Sequence, residues 1–171
     1  MNKKSIILIG FMGVGKTTVG KEIAKKLNRG FIDIDNEIEK SYGMHTVDIF
    51  KEYGEAEFRR AEKAEIIKAC AATSKIISVG GGAFLQEDVR RFCMDNATVL
   101  FLHISWDAWK ERISLLLETR PVLQGKNLDQ IKELFNERQV IYKEHHLKIN
   151  IDYLNVLEAT EAIAEELPRI E

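Results

Sequence analysis

The residues Gly10-Phe11-Met12-Gly13-Val14-Gly15-Lys16-Thr17 carry the most explicit chemistry in the chain, because they satisfy the spacing G-x-x-x-x-G-K-[ST] at every fixed position. Glycines at these spacings let a backbone curl until its N–H groups converge on phosphate oxygens. Lys16 adds a cation for the outer phosphates of a nucleoside triphosphate, and Thr17 offers a hydroxyl to Mg²⁺. An apolar run at 5–9 precedes the motif and an amphipathic stretch at 16–27 follows it, so a helix N-terminus faces the anion. A dinucleotide-binding turn is the competing reading of Gly13 and Gly15. It wants a small residue where Thr18 stands and leaves Lys16 and Thr17 without a task. The residues expected to touch nucleotide here are therefore Gly13, Val14, Gly15, Lys16, Thr17 and Thr18.

A triphosphate cradle says nothing about what receives the phosphoryl group, so further polar residues matter. Asp33 and Asp35 stand two apart where an apolar run ends, a spacing that sends both carboxylates to one side of a strand. Beside Mg-ATP such a pair can divide labour, one acid holding metal and one facing an acceptor hydroxyl. The plainer reading makes Asp35 a helix-start acid. Arg138 falls on the apolar stripe of Ile131, Leu134, Phe135, Ile141 and Tyr142, where a cation is costly unless an anion meets it. That anion is either a protein carboxylate or a ligand. Arg59 has Glu55 and Glu62 one helical turn away, so a helix-surface ion pair competes with a binding role, and Arg60 reads as solvated. Gly80-Gly81-Gly82 would weaken any regular element, so the chain there turns sharply or lets something approach its backbone. Thr119-Arg120-Pro121 ends a leucine-rich helical pattern, and an Arg on such a flap can close over a transferring phosphoryl group.

The elements that must position these residues alternate. Continuous apolar runs at 5–9, 31–34, 75–79, 98–104 and 147–151 read as strands buried on both faces of a parallel sheet. Helical patterns lie between and after them, at 16–27, 36–72, 86–96, 107–117, 128–146 and 156–167. This is the signature of an α/β sandwich with about five parallel strands. Ligands bind such sheets beyond the carboxyl ends of the strands, which is where Gly10–Thr18, Asp33–Asp35 and Gly80–Gly82 fall.

Composition narrows the classes. With 25 basic and 27 acidic residues, and a net charge of −2, the chain lacks the basic excess of a nucleic-acid coat. No stretch approaches membrane-spanning length, and the apolar run after the basic start is too short for a signal segment, so a cytoplasmic location without membrane attachment is expected. Cys70 and Cys93 lack any metal-ligand spacing and read as reduced packing residues.

Taken together, these motifs resemble the shikimate kinase family over nearly the whole chain. The matching pieces are the phosphate loop, Asp33-x-Asp35, Phe58-Arg59-Arg60, Gly80–Gly82, Thr119-Arg120-Pro121, and Arg138 with Tyr142. The resemblance implies an α/β, three-layer P-loop NTPase fold: a five-stranded parallel sheet with helices on both faces and a mobile lid. It implies one domain over 1–171, with a substrate-binding segment at about 36–62 and the lid at about 114–125. The implied activity is ATP-dependent phosphorylation of shikimate to shikimate 3-phosphate, a step toward the aromatic amino acids, by a monomer using Mg²⁺. By the same resemblance, Arg59, Arg138 and the backbone at Gly81 hold the shikimate carboxylate and its neighbourhood. Asp35 takes substrate hydroxyls and serves as base or positioner, Thr17 binds Mg²⁺ directly and Asp33 through water. Lys16 and Arg120 neutralise the transferred group, and Arg112 lies near adenine. Two features depart from the family: a longer leucine run before Arg120, and Asp152-Tyr153-Leu154-Asn155 without the arginine some members place near adenine. The alternatives are a gluconate or nucleoside monophosphate kinase of the same architecture, and a non-catalytic ATP-binding regulator.

Overall fold

All residues of β1 (Ile6–Ile9) are buried, which is how a strand reads when helices cover both faces of its sheet. The structure, a computed structural model, describes residues 4–112 and 125–169. Within them the chain runs β1, α1 (Lys16–Lys26), β2 (Gly30–Asp33), α2 (Ile34–Tyr42), α3 (Thr46–Ala71), β3 (Lys75–Ser78) and a short 3-10 turn (Ala83–Leu85). It continues through α4 (Glu87–Asn96), β4 (Thr98–His103), α5 (Trp106–Lys110), α6 (Leu128–Ile141), β5 (Leu147–Asn150) and α7 (Val156–Glu166). The five strands form one parallel sheet in the order β2-β3-β1-β4-β5.

That order decides where the chemistry goes. The crossover from β1 to β2 runs one way along the sheet and every later crossover runs the other way. Right-handed connections therefore put α1 on one face, where α7 packs beside it, and α3 and α4 on the opposite face. The carboxyl ends of β2, β3 and β1 lie side by side, so Asp33, Gly80 and Gly10 meet at one edge as expected.

Four elements differ from the sequence expectation, the first being the helix expected at 128–146, which ends at Ile141 with Tyr142 as its C-cap. Strand β2 stops at Asp33, because the Asp33 carboxylate accepts the Asn36 N–H at 3.1 Å and caps a helix that begins at Ile34. Asp35 thus sits in the first turn of α2, and strand alternation is not what aims it. The stretch 36–72 is not one helix. Gly43, at φ 65°, ends α2, and Gly54, at φ 83° and ψ 170°, kinks α3. The helix expected at 107–117 is α5 to Lys110 followed by a turn at 111–112, and the rest of that stretch lies outside the described residues.

Aromatic packing ties the sheet edge to what lies above it. Phe11 sits edge-on to Trp109 of α5 and Phe135 of α6, with ring centroids 5.1 and 5.0 Å away. Pairs of this kind contribute about 0.5–1.5 kcal/mol each beyond burial. Both cysteines sit between α3 and α4, Cys93 buried and Cys70 partly so.

Candidate active site

The loop after β1 is shaped by backbone conformations that side chains resist: Gly13 has φ 76° and Gly15 has φ 99°. Gly15 is also the N-cap of α1 and supplies no side-chain cap, and the first turn of α1 carries no acid. The opening N–H groups of α1, at Lys16, Thr17 and Thr18, are consequently offered to an anion, with the helix dipole behind them. Lys16 is buried, its ammonium donating to the carbonyls of Gly10 at 2.7 Å and Phe11 at 3.1 Å. Two donors from α5 and the turn after it brace the loop from outside. Trp109 Nε1 donates to the Met12 carbonyl at 2.9 Å, and Arg112 Nη1 donates to the Val14 carbonyl at 3.3 Å. Arg112 therefore stands beside the loop that follows β1.

Thr17 Oγ1 donates to Asp33 Oδ2 at 2.6 Å, while Asp33 Oδ1 holds the start of α2. One carboxylate thereby links the phosphate loop to the acceptor side. The pair offers hard oxygen donors only, the set that suits Mg²⁺ bound jointly with phosphates and water. Among the described residues no group of three or more His, Cys, Asp or Glu forms a fuller protein cage.

Two cavities adjoin across this edge. One, of about 270 Å³, is walled by Gly13, Gly15, Lys16, Thr17, Thr18, Asp33 and Ser78. The other, of about 310 Å³, is walled by Phe50, Phe58, Arg59, Glu62, Gly82 and Arg138. They share Met12, Asp35, Gly80 and Gly81. A group bound in the second cavity is thus one wall away from phosphates in the first.

The second cavity is a cup lined by two arginines and two carboxylates, Arg59 and Arg138 with Asp35 and Glu62. Arg138 is only 8% exposed, and its Nε and Nη1 meet no hydrogen-bond partner among the described residues. Burial pulls its pKa below the usual arginine value, and the like charge of Arg59 adds to that. Arg59 keeps the helix ion pairs that competed with a binding role: Nη1 to Glu62 at 2.8 Å and Nε to Glu55 at 3.5 Å. It nevertheless lines the cup, so the ion pairs position it there rather than on open surface. Tyr142 Oη donates to the Gly81 carbonyl at 2.6 Å and orients that peptide. Desolvation, first of all, pushes the Tyr142 phenol up, so it stays a donor.

The glycine triplet exists for close approach. A side chain on Gly80 would begin 3.2 Å from both Asp35 Oδ1 and Glu62 Oε2, and one on Gly82 would begin 2.4 Å from Arg59 Nη2. A side chain on Gly81 would begin 3.4 Å from Tyr142 Oη and from the Met12 nitrogen. The groups that press on Gly80 and Gly82 are the cup's own side chains, while Gly81 also meets the main chain of the loop after β1.

Of the expected residues, Gly13–Thr18, Asp33, Asp35, Arg59, Gly81, Arg112 and Arg138 come together at this edge. Arg120 and most of the expected lid lie outside the described residues. Glu62, Gln86 and Trp109 were missed. The signal for Glu62 is its place on the buried stripe of Phe58, Ala61, Ile66 and Ala69, where a charge is as costly as that of Arg138 on its own stripe.

With this geometry in place, likeness to known proteins becomes informative. A family model described as shikimate kinase matches residues 12–168. The chain is 52% identical to the shikimate kinase of Oceanobacillus iheyensis, over 98% of this chain and 91% of that protein. Its fold resembles that of the shikimate kinase from Bacteroides thetaiotaomicron, with a TM-score of 0.88, 32% identity, and coverage of 96% of this chain and 98% of that one. A shikimate kinase from Acinetobacter baumannii, solved in complex with shikimate, has a TM-score of 0.90 at 29% identity, covering 98% of this chain and 94% of that one.

Proposed function

The chain belongs to the shikimate kinase family and phosphorylates shikimate at the expense of ATP, and we propose that the two adjoining cavities divide that reaction between them. The phosphate-loop cavity takes the triphosphate, on the N–H groups of Gly13, Val14, Gly15, Lys16, Thr17 and Thr18. Arg112 lies where the base would leave the loop. The cup takes shikimate, with its carboxylate on Arg138 and Arg59 and an oxygen on the Gly81 peptide. Asp35, on the shared wall, accepts the attacking hydroxyl and either takes its proton or holds it in line. The single observation that carries this reading is the buried Arg138 guanidinium, with Nε and Nη1 unpartnered among the described residues, in a cavity that shares a wall with the phosphate loop. A small carboxylate satisfies it, and charge-assisted hydrogen bonds of this kind contribute about 1.5–3 kcal/mol each.

Phosphoryl transfer leaves a protein little covalent work, so fixing the hydroxyl against the phosphate and balancing charge provide most of the rate. Thr17 and Asp33 would hold Mg²⁺, Thr17 directly and Asp33 through water. Bound there, the metal spreads the negative charge of the phosphates. Lys16 adds its charge on the same side. Arg120 is proposed to close over the transferred group from a lid at about 114–125, and the segment at about 36–62 to cover the acceptor. One domain carries every residue named, so a monomer is sufficient. A cytoplasmic location fits the use of ATP, and no helix among the described residues is long and apolar enough to cross a membrane. The direct test is a coupled ADP-release assay with shikimate, gluconate and nucleoside monophosphates as acceptors. Turnover with shikimate alone supports the assignment, whereas faster release with gluconate or a nucleotide would remove it.

A further inference from the structure

Glu62 has no exposure to solvent, and its two oxygens are treated differently. Oε1 accepts from Arg59 Nη1 at 2.8 Å and from Gln86 Nε2 at 3.5 Å, whereas Oε2 meets no partner among the described residues. Oε2 points to the floor of the cup, where it and the Asp35 carboxylate flank Gly80. The charged groups facing Glu62 are Arg59 on α3 itself, Asp35 on α2 and Arg138 on α6. The charges on α4 are engaged elsewhere: Asp88 with Lys63, and Arg90 with the Phe84 carbonyl and Glu144. Among the described residues two arginines, Arg59 and Arg138, face two carboxylates, Asp35 and Glu62, in the cup. An anionic acceptor adds a third negative charge beside the buried Glu62 and Arg138, where charge is weakly screened.

The carboxyl best placed to give up its charge is Glu62. Asp35 is partly exposed and sits in the first turn of α2, at the positive end of the helix dipole. Glu62 has neither advantage. We infer that Glu62 takes up a proton on Oε2 when the acceptor carboxylate binds, so that the acceptor replaces the Glu62 charge as counter-ion of Arg59 and Arg138. This rests on the reading of the cup as the carboxylate site. In keeping with this, desolvation, followed by the neighbouring Asp35 charge and opposed by both arginines, pushes the Glu62 carboxyl up to about 7.

The sign follows from linkage. Below about pH 7 Glu62 already carries its proton and acceptor affinity is flat. Above that value, and up to the higher value of the occupied cup, binding draws in a proton, so affinity falls as pH rises, by at most about tenfold per pH unit. Isothermal titration of shikimate into the intact protein at about pH 8, in phosphate and in Tris, reads the proton number from the dependence of heat on buffer ionisation enthalpy. Roughly half a proton or more should be taken up per shikimate by the natural protein, and close to none by Glu62→Gln, which keeps the acceptor oxygen for Arg59. Binding without proton uptake in the natural protein, or with undiminished uptake in the variant, would overturn the inference. Absence of binding heat in every buffer would instead strike the carboxylate site itself and the proton linkage with it. Should Glu62→Gln fail to fold, the natural protein alone decides: a shikimate dissociation constant that stays level from about pH 7 to 9 contradicts the linkage, and one that weakens several-fold upholds it.

Discussion

The phosphate cradle and the acceptor cup share a wall but are built by opposite means. The cradle is one contiguous stretch whose binding groups are mostly main-chain N–H, shaped by Gly13 and Gly15 and braced from outside by Trp109 and Arg112. The cup gathers side chains from separate elements: Asp35 from α2, Arg59 and Glu62 from α3, Gly80–Gly82 from the turn after β3, and Arg138 and Tyr142 from the end of α6. A backbone cradle binds any triphosphate and tolerates side-chain change around it. A cup of charged side chains selects one kind of acceptor, and loses it when one member moves. The two halves should therefore fail separately.

The shared wall is where that separation should break down most severely. Asp35→Asn is expected to fold normally and to lower kcat by about a hundredfold or more, within the range for a lost general base, while both Michaelis constants stay within a few-fold. Steady-state kinetics in both substrates checks this, and an unchanged kcat would remove Asp35 from the chemistry. Next in size is Gly82→Ala. Gly82 has φ −100°, which any residue adopts, so the change acts only by pressing a methyl onto the Arg59 guanidinium, 2.4 Å from Nη2. The KM for shikimate should rise by roughly tenfold as the Arg59 bonds are lost, with ATP unaffected. Little change in Tm is expected, because the displaced atoms end a flexible side chain. The smallest effect belongs to the cradle. Arg112→Ala removes one brace on the Val14 carbonyl and should raise the KM for ATP a few-fold, at the usual value of a single hydrogen bond, without altering shikimate. An equal rise for shikimate would show that the halves are not separable.

What was readable beforehand follows the same division. The cradle was legible because its residues are adjacent and their spacing is itself the chemistry. The parallel sheet was legible because strands such as β1 and β4 are buried on both faces and read as unbroken apolar runs. Arg138 stood out as a cation on an apolar stripe. Asp33 and Asp35 were found for an incomplete reason, since a cap formed by Asp33 ends the strand one residue early and turns Asp35 onto a helix. The break in the 36–72 stretch depends on left-handed conformations at Gly43 and Gly54, which the helical pattern around them conceals. Gln86 reaches Glu62 across 24 positions, and no local spacing announces a contact of that kind.

Acceptor selection depends most on Arg138 meeting the acceptor carboxylate, and a cycle in which both partners are altered tests that contact directly. Arg138→Leu and the natural protein would each be assayed with shikimate and with its methyl ester, at varied ATP. In the natural protein the ester should lose roughly a hundredfold in kcat/KM, and Arg138→Leu should lose about as much with shikimate while its KM for ATP holds. Preference for the acid over the ester should then shrink by about tenfold or more in the variant, since the partner that read the charge is gone. A variant that still prefers the acid as strongly as the natural protein, or that loses ATP and shikimate together, would contradict the account.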